Sequence, residues 1–208
     1  MTLAGLLFER LDVKHEVFAD LERQFSPLAA RRGLRLRVTR PPCRVRSDRV
    51  LLRRMLQNLI SNALRYTQRG GVLVGCRRRG RFVLLEVRDT GPGIAEAHQQ
   101  AIFEEFRRLD RHSPWGEQGL GLGLSICDRI AHLLGVELSL RSALGRGSVF
   151  SIRVPVGADA SGEPAAPLHD RVDHSSDSPL VRHVDGEREG LAATLLEILD
   201  RRLGLLFV

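Results

Sequence analysis

"GLGLGLSICDRI", residues 119–130, sets three glycines at alternate positions against what reads as the first turn of a helix. Glycine is costly inside a helix and carries no chemistry of its own, so Gly119, Gly121 and Gly123 need a reason. The stretch is not a P-loop, because no Gly-Lys-Ser/Thr follows. It is a poor dinucleotide fingerprint too: Leu124 stands where the third glycine would fall, and a polar loop, "DRHSPWGEQ" (110–118), precedes it instead of a strand. What remains is a glycine-rich loop entering a helix N-terminus, where unpaired N–H groups and the helix dipole favour an anion. Alternating glycines let the backbone close on phosphate oxygens, while Leu120 and Leu122 between them anchor the loop. A structural glycine turn is the competing reading.

Working outward, apolar residues recur at helical spacing over residues 8–31, where Pro27 should bend or divide the helix. "GLRLRVTR" (33–40) alternates as a strand and is broken by Pro41 and Pro42. Ser47 is a plausible N-cap, with Asp48 in the first turn, for a helix through Tyr66. "GGVLVGC" and "RFVLLEVRD" read as an antiparallel hairpin with an arginine-rich tip, "EAHQQAIFEEFRRL" as a helix, and residues 136–155 as two more strands around a glycine-rich turn. After Pro155 the composition turns to Ala, Ser, Asp, Gly and Pro, as in a flexible linker. The last thirty residues read as one strand and one helix, too little to bury a core alone.

Three further features precede the glycine loop. In "QNLISNALRYT" (57–67), Asn58 and Asn62 lie four apart on one helical face. Such amides are either satisfied core groups or hard oxygen ligands suited to Mg²⁺. Arg65, three residues on, could reach a phosphate from the same side. In "DTGPGI" (89–94), Asp89 ends an apolar strand, and Gly91 and Gly93 allow a sharp turn against a ligand. A plain turn explains this too, but the carboxylate could accept a hydrogen bond from an exocyclic amine such as adenine's. In "FEEFRRLDRHSPWGEQ" (103–118), two phenylalanines lead into a segment long enough for a lid.

Together these resemble the four boxes of the ATP-binding domain of sensor histidine kinases, in the gyrase, Hsp90, histidine kinase and MutL superfamily. "NLISNALRYT" resembles its N box, "DTGPGI" its G1 box, "FEEFRRL" its F box, "GLGLGLSI" its G2 box and "GRGSVFSIRVP" its closing strand. The resemblance implies a two-layer α/β sandwich of the Bergerat type, a mixed sheet backed by helices, with ATP under a lid. It implies that Asn62 ligands Mg²⁺ with support from Asn58, and that Arg65, where the family usually has lysine, contacts phosphate. Tyr66 would flank the nucleotide. Asp89 would take the adenine amine, with Gly91, Gly93 and Ile94 shaping the base pocket. Gly119, Leu120, Gly121, Leu122 and Gly123 would form the phosphate loop and lid hinge, and Ser148, where threonine is common, would help Asp89 through water.

The expected organisation is an N-terminal helix over residues 1–19, read as the remnant of a dimerisation helix, the ATP-binding domain over 20–156, and a linker over 157–178. Residues 179–208 resemble the first strand and helix of a receiver. There Gly186 replaces the second of two metal-binding acidic residues, and the chain ends before a phosphoacceptor aspartate. Only "HEVFAD" at His15 resembles an acceptor motif, and it lacks the proline. The expected function is therefore an ATP-dependent kinase module that donates the γ-phosphate to a histidine on a separate dimerisation domain or related kinase chain, with a response regulator downstream. The expected parent is a hybrid kinase shortened at both ends. The rivals are a non-catalytic docking module and an anti-sigma-type serine kinase.

The 208 residues carry a net charge of +7, which raises nucleic acid as a partner. Lys14 is the only lysine, though, and the arginines are scattered, so nucleic acid ranks last. No apolar run is long enough to span a membrane, no signal peptide is evident, and three widely spaced cysteines form no metal motif. A reducing cytoplasm is the expected setting.

Overall fold

A computed structural model of the chain describes residues 9–39, 44–104, 122–156 and 180–182. Its centre is α2 (Arg49–Tyr66), whose apolar residues at three- and four-residue spacing are buried from Leu52 to Leu64. A fully buried Leu or Ile side chain stabilises the fold by about 1.5–3 kcal/mol. This stripe is why the helix lies flat on a sheet. Asp48 is the N-cap, its carboxylate accepting the Leu51 N–H at 2.9 Å. Ser47, the expected cap, is fully buried at the end of a strand. A carboxylate one residue later reaches the first-turn amide and leaves Ser47 to packing.

The main sheet has six strands in the order β2-β4-β5-β7-β6-β8, formed by β2 (Arg35–Val38), β4 (Gly71–Arg79), β5 (Phe82–Asp89), β6 (Glu137–Ala143), β7 (Gly147–Pro155) and β8 (Leu180–Arg182). Only β2 and β4 pair in parallel, which α2 makes possible by crossing between them. The hairpin β4–β5 is antiparallel as expected, with Val72 opposite Asp89; β6–β7 is antiparallel too, with Arg141 opposite Val149, and Arg88 of β5 faces Val149 from the other side. Inward residues such as Val74, Leu85, Leu140 and Ile152 pack under α1 (Ala19–Arg31), α2 and α4 (Gly123–Leu134). This is the expected mixed sheet backed by helices.

The other face carries arginines. Glu86 points there with its side chain only 8% exposed, 2.8 Å from both Arg77 and Arg88 and 3.9 Å from Arg141. Burial pushes its carboxyl up, but hydrogen bonds and charge from Arg88 and Arg77 outweigh this and hold it below the ordinary 4.5. Its stabilisation is therefore full above that value and fades as the pH falls through the lowered one. Glu86→Gln should cost about 1–2 kcal/mol at neutral pH. Urea titrations of both chains should show the gap closing in acid.

Several local expectations are corrected. Residues 9–12 are not helical: Glu9–Asp12 forms β1, paired antiparallel with β3 (Arg44–Ser47), a strand too short and too charged to be read from sequence. A π-helical turn, Val13–Phe18, then leads into α1. Pro27 does not divide α1, because the carbonyl deprived of its amide partner is that of Arg23, which lies with Pro27 on the solvent side. Residues 96–104 hold one turn of α-helix, α3 (Glu96–Gln99), and a 3₁₀ turn, Ala101–Phe103, rather than a continuous helix. Phe103 there is buried edge-on against Phe150. Phe106, the linker and the helix expected beyond residue 186 lie outside the described residues. The strand expected after the linker is present as β8, which pairs antiparallel with β6 at the edge of the main sheet.

Candidate functional site

The site gathers where α2 ends, α4 begins and β5, β6 and β7 turn. Asn58 and Asn62 face the first residue of α4. A Cβ built on Gly123 would lie 3.5 Å from Asn62 Nδ2, 3.7 Å from Asn62 Oδ1 and 4.0 Å from Asn58 Oδ1. Both side-chain amides thus face a helix start, Asn62 with its Nδ2 slightly nearer than its Oδ1. Asn58 Nδ2 is buried without a hydrogen-bond acceptor, near Cys127. Burial pushes the Cys127 thiol up to about 12, so that cysteine is packing and not a nucleophile.

Leu122 is the N-cap of α4 and offers no side-chain cap. Among the described residues no N-cap side chain serves the first-turn amides, and the positive end of the helix faces the two asparagines. Gly119, Leu120 and Gly121 lie outside the described residues. Arg65 is half-buried on α2, and Tyr66, 44% exposed, ends the helix. Arg32 donates to the Leu64 and Arg65 carbonyls at 3.0 and 3.4 Å, satisfying the C-terminal end of α2 and tying α1 to it.

The second cluster surrounds Asp89. Its Oδ1 accepts the N–H of Gly91 at 2.8 Å and of Ser148 at 3.3 Å. Burial pushes the carboxyl up, while hydrogen bonds from Gly91 and Ser148 oppose that. Thr67, buried with an unpartnered hydroxyl, and the Tyr66 carbonyl both approach the Gly91 backbone, so the end of α2 meets this turn. The turn is stitched to the β6–β7 loop as well: Gly145 N–H donates to Pro92 O at 2.8 Å, and Ile94 N–H to Ser142 Oγ at 2.8 Å. Thr90 Oγ accepts from Gly71 N–H at 3.0 Å and donates to Arg69 O at 3.1 Å. Ser142, Gln99, Thr90 and Arg32 escaped sequence reading because each acts on a residue far away in the chain. Only the fold shows the partner.

The chain matches the histidine kinase-, DNA gyrase B- and HSP90-like ATPase family over residues 47–158, more than half its length. The chain belongs to that family. A sensor-like histidine kinase of Rhizobium meliloti (strain 1021) is 36% identical over 88% of this chain, which covers 35% of that protein. The chain thus spans about a third of that relative. Among solved structures, full-length ShkA in complex with AMPPNP superposes with a TM-score of 0.64 at 29% identity, covering 74% of this chain and 32% of that one. The mycobacterial sensor histidine kinase MprB gives 0.59 at 25% identity, covering 72% of this chain and 98% of that one. The two clusters are thus parts of an ATPase-family fold. Among the described residues no group of three or more His, Cys, Asp and Glu could cage a metal, and no helix is long and apolar enough to cross a membrane.

Proposed function

We propose that this chain is the ATP-binding catalytic module of a two-component histidine kinase, binding Mg-ATP and presenting its γ-phosphate to a histidine on another domain or chain. The observation that carries this is the pair of amides facing a helix start whose N-cap residue, Leu122, has no capping side chain, with an anionic hydrogen-bond acceptor at the neighbouring turn. A nucleotide is itself polar at two ends: phosphates at one, an amine-bearing base at the other.

At the phosphate end, the first-turn amides of α4 donate to phosphate oxygens. Arg65 adds a planar guanidinium fork in place of the family's usual lysine. Asn62 is the residue that would hold Mg²⁺, with Asn58 beside it. Mg²⁺ binds through one or two protein oxygens plus substrate phosphates, so a site without a carboxylate cage fits it. When bound, the ion neutralises charge on the phosphates. Gly119, Leu120, Gly121, Leu122 and Gly123 would close the loop over them. At the base end, Asp89 accepts the exocyclic amine, Ile94, Gly91 and Gly93 wall the pocket, and Tyr66 flanks the ring. Ser148 holds Asp89 in place. The domain thus contributes position and charge neutralisation, which is most of what phosphoryl transfer asks of a protein.

The histidine-bearing dimerisation domain and a response regulator are the proposed partners, and residues 179–208 are proposed as the beginning of a receiver. A cytoplasmic setting follows from these. The test is calorimetric titration of Mg-ATP into the wild-type chain and Asn62→Ala, with and without chelator, then phosphotransfer to an added dimerisation domain. The variant should lose about tenfold for Mg-ATP and little for metal-free ATP. No saturable binding by the folded wild type would sink the proposal, and binding without an acid-labile phosphohistidine would leave a docking module.

A further inference from the structure

Ser142 belongs to none of the four boxes, yet its hydroxyl is where three segments of the site meet. It accepts the Ile94 N–H at 2.8 Å and lies 3.0 Å from the Gly147 carbonyl and 2.9 Å from Ser148 Oγ. Gln99 completes the arrangement from α3, its Nε2 donating to Ile94 O at 3.1 Å and to Ser142 O at 2.9 Å. Both peptide groups of Ile94 are thereby held, one by Ser142 and one by Gln99.

A serine hydroxyl has one proton to give and two lone pairs. The Ser148 hydroxyl can also turn its proton to the Asp89 carboxylate, which accepts the Ser148 N–H at 3.3 Å. If it spends its proton there, the contact between the two serines requires Ser142 to donate to Ser148, and the Gly147 carbonyl goes without. If Ser148 turns its proton to Ser142 instead, Ser142 is released to donate to Gly147. The two hydroxyls therefore rotate together. Each arrangement leaves Asp89 with a different number of donors.

We infer that Ser142, with Gln99, is a positioning residue for base recognition: it fixes Ile94 and lets Ser148 withdraw from Asp89 when a ligand amine arrives. The inference rests on the reading that Asp89 meets the adenine amine. With Ser142 present, an incoming N–H displaces the Ser148 proton to Ser142, and no polar group is stranded. In Ser142→Ala, Ser148 has only Asp89 to donate to, so it competes with the amine, and the buried Ile94 N–H loses its acceptor.

The test compares Mg-ATP with the purine ribonucleoside triphosphate that lacks the 6-amino group, titrated calorimetrically into wild type, Ser142→Ala, Ser142→Thr and Ser142→Cys, with melting temperatures alongside. Ser142→Ala should weaken ATP about tenfold and the amine-free nucleotide less than about twofold, and threonine should restore ATP to within about threefold. Cysteine fills the space but hydrogen-bonds weakly. It should show the same selective loss, and it carries the test if the alanine variant does not fold. Equal losses for both nucleotides, or unchanged ATP affinity in the variants beside a binding wild type, would overturn the inference alone. A wild type that binds neither nucleotide would overturn it together with the site reading beneath it.

Discussion

Asp89→Asn is expected to weaken nucleotide binding about a hundredfold while raising the melting temperature of the empty protein. The carboxylate holds two backbone amides on one oxygen, Gly91 at 2.8 Å and Ser148 at 3.3 Å. An asparagine oxygen can keep both. What changes is the charge and the second oxygen, which becomes an NH₂. On the proposed assignment two donors then meet where a charged acceptor would meet the base's amine, and affinity should fall about a hundredfold. For the empty fold the substitution is a relief, because burial pushes the Asp89 carboxyl above its ordinary 3.8 and the Gly91 and Ser148 bonds offset only part of that. A raised folded pKa means that the native state favours the protonated form. Ionisation therefore costs stability, fully above the raised value and not at all below 3.8. At neutral pH the variant should melt about 1–3 °C higher, and the gap should close as the pH is lowered through that window. A lower melting point at neutral pH, or undiminished ATP affinity, would contradict the assignment.

Such a gain on losing a functional group marks a site that spends stability on function, and it bears on what the sequence made legible. The period of three and four along 49–66 and the alternation in 71–89 and 137–155 announced the helix and the hairpins, because burial on one face dictates both patterns. Asn58, Asn62, Asp89, Gly91 and Ser148 could be named because they stand in short motifs whose local geometry is set by neighbours in the chain. The β1–β3 pair could not be, since the four residues of "RVRS" gain their order from distant partners, a strand over thirty residues earlier and Val156 far later. Ser142 sits in a strand that reads as ordinary alternation. Its role exists only once Ile94, 48 residues away, is folded against it. Ser47 and Asp48 show the limit of cap prediction: both are good caps, and the packing of β3 decided between them.

Gly147→Ala is expected to be a severely damaging single-methyl change in the site, and its neighbour Gly145→Ala the control that says why. Gly145 sits in the turn between β6 and β7 and Gly147 opens β7, both with left-handed backbone, φ +75° and +80°. An alanine at either position meets the conformational penalty of that region, about 1 kcal/mol. They differ in what surrounds them. A Cβ at Gly145 has nothing within 4 Å, whereas one at Gly147 would stand 2.0 Å from the Asp89 carbonyl oxygen and 2.9 Å from its carbon. Backbone cannot step aside as a flexible side chain can. The ends of β5 and β7 must therefore part where Arg88 pairs with Val149, and the Ser148 N–H to Asp89 bond breaks with them. Gly147→Ala should lose more than about 3 kcal/mol in urea denaturation, a large fraction of a domain's stability, and whatever folds should bind no ATP. Gly145→Ala should lose about 1 kcal/mol and keep its affinity. Equal losses in the two variants would mean that dihedral preference alone governs the turn, and that the close approach of β7 to Asp89 is not what holds its carboxylate in place.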